Sequence, residues 1–145
     1  MHKIFFPIIK FLVGPVTFLL FGYKRKDKYK IAKDEKVLIL SNHQTDLDPF
    51  CVIRSFNKPI YCVATDTIFA GKFNGNFLKN FTGMIPKKKG KTDLRCALSM
   101  YKVVEEGGSL LVFPEGNRTY AEFQFYISES IIGILRKFKT TLIIF

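Results

Sequence analysis

Apolar runs that alternate with helix-period segments predict an α/β domain with a mainly parallel central sheet and helices on both faces, preceded by an N-terminal membrane-associated helical segment. Two all-apolar runs, Val37-Leu38-Ile39-Leu40 and Leu110-Leu111-Val112-Phe113, have the length and character of strands buried on both faces. Segments of helical period lie between them, bounded by proline and glycine. A third observation, an almost unbroken apolar stretch from Ile4 to Tyr23, sets the N-terminus apart.

Composition bounds the answer. The 145 residues suffice for one domain with a core, and 48% hydrophobic content with 16 Phe excludes disorder. A net charge of +11 favours anionic partners, whether nucleic acid, anionic lipid or phosphorylated substrates. No nucleic-acid-binding signature accompanies that charge, so nucleic acid is not an expected partner. Cys51, Cys62 and Cys96 have no CxxC spacing and read as reduced core residues of a cytosol-facing domain. His2 and His43 are the only histidines, and no metal site is expected.

The elements follow in order. Ile4 to Tyr23 approaches the ~20 residues that cross a bilayer. Lys10 sits mid-way, where a charge is costly, and Pro7 and Pro15 interrupt the run. Lys3, Lys10, Thr17 and Lys24 recur every seven residues as a polar stripe. The stripe fits an interfacial or re-entrant helix better than a smooth span; a soluble core helix is the remaining alternative. Lys24-Arg25-Lys26-Asp27-Lys28-Tyr29-Lys30 suits either a solvated linker or a juxtamembrane cluster facing anionic lipid on the cytoplasmic side. Residues 1–30 thus form a membrane-associated segment with its basic stretch, and 31–145 an α/β domain.

Within that domain, Lys36 to Ser41 is the first strand. Asp48 and Pro49 start a helix to about Phe56, with Asp48 as its N-cap. Pro59 to Ala64 is the second strand. Phe73 to Phe81 forms a short helix, and Met84 to Lys87 a third strand. A helix from Thr92 carries Leu94, Ala97, Leu98, Tyr101 and Val104 on its apolar face, and Gly107-Gly108 ends it. Ser109 to Phe113 is the fourth strand, Ser128 to Phe138 a helix, and Thr140 to Phe145 a fifth strand. The chain stops at Phe145 inside an apolar run, which reads as a truncated version of something longer, with a terminal edge strand as the alternative.

Two motifs carry chemistry, and each follows a strand. In Asn42-His43-Gln44-Thr45-Asp46-Leu47-Asp48, His43 is a general base and Asp48 can orient its ring, with Asp46 as a rival partner. Read alone, Asn42 and Asp48 also suit a turn and a helix cap. In Phe113-Pro114-Glu115-Gly116-Asn117-Arg118, Pro114 and Gly116 shape a turn and Arg118 can grip a phosphate. Glu115 can hold Arg118 or accept from a hydroxyl. A base beside an anion site suits acyl transfer to the hydroxyl of a phosphorylated alcohol.

His43-x4-Asp48 and Phe113-Pro114-Glu115-Gly116-x-Arg118 resemble the two signature motifs of the glycerolipid acyltransferase family, among them the 1-acylglycerol-3-phosphate acyltransferases. Asn42, Pro49 and the order of the motifs match as well, over roughly Lys36 to Thr119. The resemblance implies that His43 and Asp48 are catalytic and that Glu115, Gly116 and Arg118 bind the acceptor's glycerol phosphate. Gly83-Met84-Ile85-Pro86-Lys87-Lys88-Lys89 is similar to an intermediate family motif, with Lys89 where arginine is usual, which adds Lys89 to the substrate-binding set.

The resemblance further implies acyl-CoA or acyl-carrier protein as co-substrate with no bound cofactor. It implies a lysophosphatidate-like acceptor, phosphatidate as product, and a membrane location with the site facing the cytoplasm. Asn117 stands where threonine is common. Phe125-Tyr126-Ile127-Ser128 and Thr140 to Phe145 depart from later family motifs, and relatives continue beyond this point. A non-catalytic, truncated remnant on the membrane, or an enzyme for another lysophospholipid, are the alternatives.

Overall fold

The computed structural model describes residues 2–22, 29–69, 82–89, 93–115, 132, 136–137 and 140–144. Five strands form one sheet: β1 (Val37–Leu40), β2 (Ile60–Thr65), β3 (Met84–Lys87), β4 (Ser109–Val112) and β5 (Thr141–Ile144). Their order is β3-β2-β4-β1-β5 and every pairing is parallel. Among the described residues they are accompanied by the helices α1 (His2–Phe21), α2 (Asp48–Arg54) and α3 (Leu94–Glu105). The expected α/β class and parallel sheet are what the structure shows.

Every residue of β1 and β4 is buried because both strands are interior and both sheet faces are covered. Side chains alternate across the sheet. Val37, Ile39 and Leu111 join Phe6 of α1 and Val52 and Ile53 of α2 on one face. Leu38, Leu40, Leu110 and Val112 join Cys96, Met100 and Val104 of α3 on the other. β3 is an edge strand and tolerates Pro86, which sits opposite Ala64 of β2. All three cysteines are free thiols; burial pushes Cys62 up to about 12 and Cys96 up to about 11.

Readings of α1, α2 and α3 need correction. α1 runs unbroken through Pro7 and Pro15, so the prolines do not interrupt the helix. Both prolines lie on its exposed side, and Thr17 Oγ1 donates to the Val13 and Gly14 carbonyls beside Pro15. Two members of the polar stripe also face the protein: Lys10 Nζ donates to Phe56 O, and Thr17 Oγ1 accepts from Arg54.

α2 ends at Arg54, and its N-cap is Leu47 rather than Asp48. Asp48 is the first helical residue, and its carboxylate turns back onto the preceding loop. α3 begins after Asp93, whose side chain caps it by accepting from the Arg95 and Cys96 amides. Its buried stripe is Cys96, Met100 and Val104, while Leu94 and Leu98 are 73% and 69% exposed.

A 3₁₀ turn over Asp66–Phe69 follows β2. The helix expected over Phe73 to Phe81 lies outside the described residues. Of Ser128 to Phe138, residues 132, 136 and 137 are described and each is helical.

Candidate functional site

The site grows from the C-terminal edge of the sheet, where parallel α/β folds open toward ligands. β1 and β4 are neighbours, with Leu40 opposite Val112, and Ser41 N donates to Val112 O to extend the pairing. The two motifs therefore leave the sheet side by side, although 72 positions separate Leu40 from Val112 in the chain.

Asp48 organises the first motif. Its Oδ2 accepts from His43 Nδ1 at 3.1 Å, Gln44 N at 2.6 Å and Thr45 N at 2.8 Å. Its Oδ1 accepts from Thr45 Oγ1 at 2.6 Å. Burial raises the Asp48 carboxyl, but the Thr45, Gln44 and His43 hydrogen bonds outweigh it and hold the group below the ordinary carboxylate range. Asp48, not Asp46, is the residue at the His43 ring. Because a carboxylate only accepts, Nδ1 carries the proton and Nε2 is the nitrogen that can take another.

The second motif supplies the wall. Phe113, the residue after β4, stacks on the His43 ring with centroids 4.4 Å apart and planes 30° apart. It is 9% exposed, so it backs the imidazole with a largely buried apolar surface. The sequence reading placed Phe113 in the strand and assigned it no role. The usable signal was its position directly after the strand that pairs with β1.

Glu115, half-buried, follows the buried Pro114 at the same edge. Gly116 and Arg118 lie outside the described residues. Lys89 is exposed, two residues beyond β3. β3 is three strand positions from β1, or ~14 Å at ordinary strand spacing, so Lys89 shares the sheet edge with His43 without adjoining it. The backbone just before Lys89 is tied to α3: Asp93 Oδ2 accepts from Lys88 N at 3.0 Å while Oδ1 caps α3. Sequence reading missed that role of Asp93.

This arrangement can remove a proton through Nε2 and hold the resulting imidazolium against a carboxylate. No curated protein matches the chain. The family model described as Acyltransferase matches residues 23–144, from just beyond α1 through both motifs and all five strands, and the chain therefore belongs to the acyltransferase family.

Proposed function

We propose that the protein transfers a fatty acyl group from acyl-CoA or acyl-carrier protein to the free hydroxyl of a lysophosphatidate-like acceptor at a membrane, forming phosphatidate for phospholipid synthesis. The observation that carries this reading is the His43–Asp48 pair, backed by Phe113, in a chain of the acyltransferase family. His43 Nε2 takes the proton from the acceptor hydroxyl as its oxygen attacks the thioester carbonyl. The C–S bond then breaks, and the imidazolium returns its proton to the leaving thiolate. Asp48 orients the ring and stabilises its charged form.

Glu115, Gly116 and Arg118 bind the acceptor's glycerol phosphate, and Lys89 adds a positive charge further along the edge. No metal or bound cofactor takes part. α1 is long and apolar enough to cross a membrane by length and composition, which supports a membrane location; the site faces the cytoplasm.

The test is thiol release by the purified 145-residue chain in phospholipid vesicles, with lysophosphatidate, other lysophospholipids and a panel of acyl-CoA lengths. Turnover with lysophosphatidate, lost in His43→Ala while vesicle binding persists, is expected. Full turnover in His43→Ala would sink the mechanism, and turnover only with another lysophospholipid would reassign the acceptor.

A further inference from the structure

α3 exposes two leucines at the end nearest the proposed site. It follows β3, so it starts at the C-terminal edge of the sheet, the edge that also bears His43. Leu94 and Leu98 stand one turn apart on its outer side and are 73% and 69% exposed. Half-buried Tyr101 continues that side, and Lys137 Nζ sits 4.9 Å from the centre of its ring.

Cations flank the leucines. Lys88, Lys89 and Arg95 are all exposed. From Met84 to Leu98 the sequence holds five basic residues, Lys87, Lys88, Lys89, Lys91 and Arg95, against one acid, Asp93. The Asp93 carboxylate is occupied by the Lys88, Arg95 and Cys96 amides. Glu105 closes α3 at the other end, eleven rises or ~16 Å from Leu94.

We infer that this end of α3 is the docking surface for an acidic carrier protein that brings the acyl group as a pantetheine thioester. The inference rests on the acyl-transfer reading and chooses between its two donors. An acidic helix with an apolar centre answers both parts of the surface. Its carboxylates meet Lys88, Lys89 and Arg95, and its apolar residues cover Leu94 and Leu98. A nucleotide donor would engage the cations and leave the leucines in water. The carrier's body rests on α3 while its flexible arm runs along the sheet edge toward His43, across the ~14 Å between β3 and β1. The acceptor oxygen bonds to the thioester carbon, the C–S bond breaks, and the carrier leaves as its free thiol with the proton that His43 removed.

Two other occupants fit less well. The exposed apolar side chains of α1 lie on the opposite face of the sheet: Phe6 of α1 packs with Val37, Ile39 and Leu111, and α3 with Leu38, Leu40, Leu110 and Val112. One flat bilayer cannot take both. A second copy of the chain carries the same +11 and is repelled.

The test compares palmitoyl-loaded acyl-carrier protein with palmitoyl-CoA as donors to the 145-residue chain in phospholipid vesicles. Arg95→Glu combined with Leu98→Ser changes two exposed positions outside the proposed site, so the fold is expected to hold. Lys102→Gln, toward the far end of α3, is the control. In the double variant the KM for the carrier protein should rise about tenfold or more, while its kcat and both constants for palmitoyl-CoA stay within about twofold. Fluorescence anisotropy of a dye-labelled carrier protein should show the same loss of affinity, and binding to the unaltered chain should weaken as salt is raised.

An unchanged carrier KM, or an equal rise for both donors, would overturn the inference. Loss of vesicle binding in the double variant would assign the surface to lipid, and a mass that rises with concentration only in the unaltered chain would assign it to a second copy; either result overturns it as well. Carrier binding without thiol release from either donor would uphold the surface and sink the acyl-transfer reading. Release from palmitoyl-CoA without carrier binding would do the reverse.

Discussion

Asp48→Asn isolates the charge at the proposed base from its geometry. The four donors divide unevenly: three reach Oδ2, and only Thr45 Oγ1 reaches Oδ1. An asparagine with its oxygen at the Oδ2 position keeps all three of the first group. Its amide nitrogen then meets the Thr45 hydroxyl, which can rotate to accept. The loop, the ring orientation and the Nδ1–H tautomer are preserved, and what disappears is the negative charge facing the imidazolium.

At the observed 3.1 Å, the attraction between unit charges is about 5 kcal/mol at an effective dielectric of 20 and about 1 kcal/mol in water. The two side chains are 21% and 22% exposed, which places the pair between those limits, at about 2–4 kcal/mol. The expected loss in kcat is roughly 30- to 1,000-fold, with urea stability changed by about 1 kcal/mol or less. Thiol release under saturating acceptor and donor, beside a urea titration of the same protein, measures both. Wild-type kcat in a folded Asp48→Asn protein would refute the assignment of Asp48 as the partner that stabilises a charged His43.

Three further outcomes are expected. Gly83 and Gly107 both hold positive φ, +71° and +78°, but a Cβ at Gly83 would fall 2.6 Å from the His2 ring while one at Gly107 meets nothing within 4 Å. Both alanine variants carry the left-handed strain of about 1–2 kcal/mol; Gly83→Ala should cost about 1–3 kcal/mol more in urea titrations, and a His2→Ala background should erase that excess. Ellman's reagent should label Cys51, which is half-buried and raised by burial and by Asp48, slowly, and Cys62 and Cys96 only on unfolding; three fast equivalents would contradict the burial. Asp48 and Asp93 are both held below the ordinary carboxylate value, so each stabilises the fold fully above about pH 4 and loses that contribution as pH falls through its folded value. The urea midpoint should therefore be steady from neutral pH to about pH 5, drop below about pH 4, and drop less in Asp93→Asn.

Legibility tracked how locally each feature is determined. β1 and β4 were readable because an interior parallel strand needs apolar residues on both faces, and four in a row leave little else to form. His43 and Asp48 were readable because five residues in one loop decide their contact. The face of α3 was misread because Leu94 and Leu98 outrank Cys96 and Met100 in hydrophobicity, yet the latter two with Val104 make the stripe that meets Leu110 and Val112. The stacking of Phe113 on His43 depends on the register of two strands far apart in the chain, and no local pattern encodes that register. The polar stripe of α1 was visible, but its direction was not. A lysine on an apolar helix fits a lipid headgroup and a protein carbonyl equally well until the carbonyl of Phe56 is in place.

The same α2 that positions the proposed base also receives the long apolar helix α1. Its first residue is Asp48 and its last is Arg54, six rises or ~9 Å apart in one short helix with Pro49 in its first turn. Arg54 is hydrogen-bonded to Thr17, and the segment just beyond α2 supplies the Phe56 carbonyl to Lys10. Buried packing of Val52, Ile53 and Phe56 with Phe6 leaves little room for α1 and α2 to move independently. The seat of α1 and the loop that holds His43 are therefore fixed relative to each other through α2. Placing the proposed base is thus a matter of packing between two helices rather than of a flexible tether.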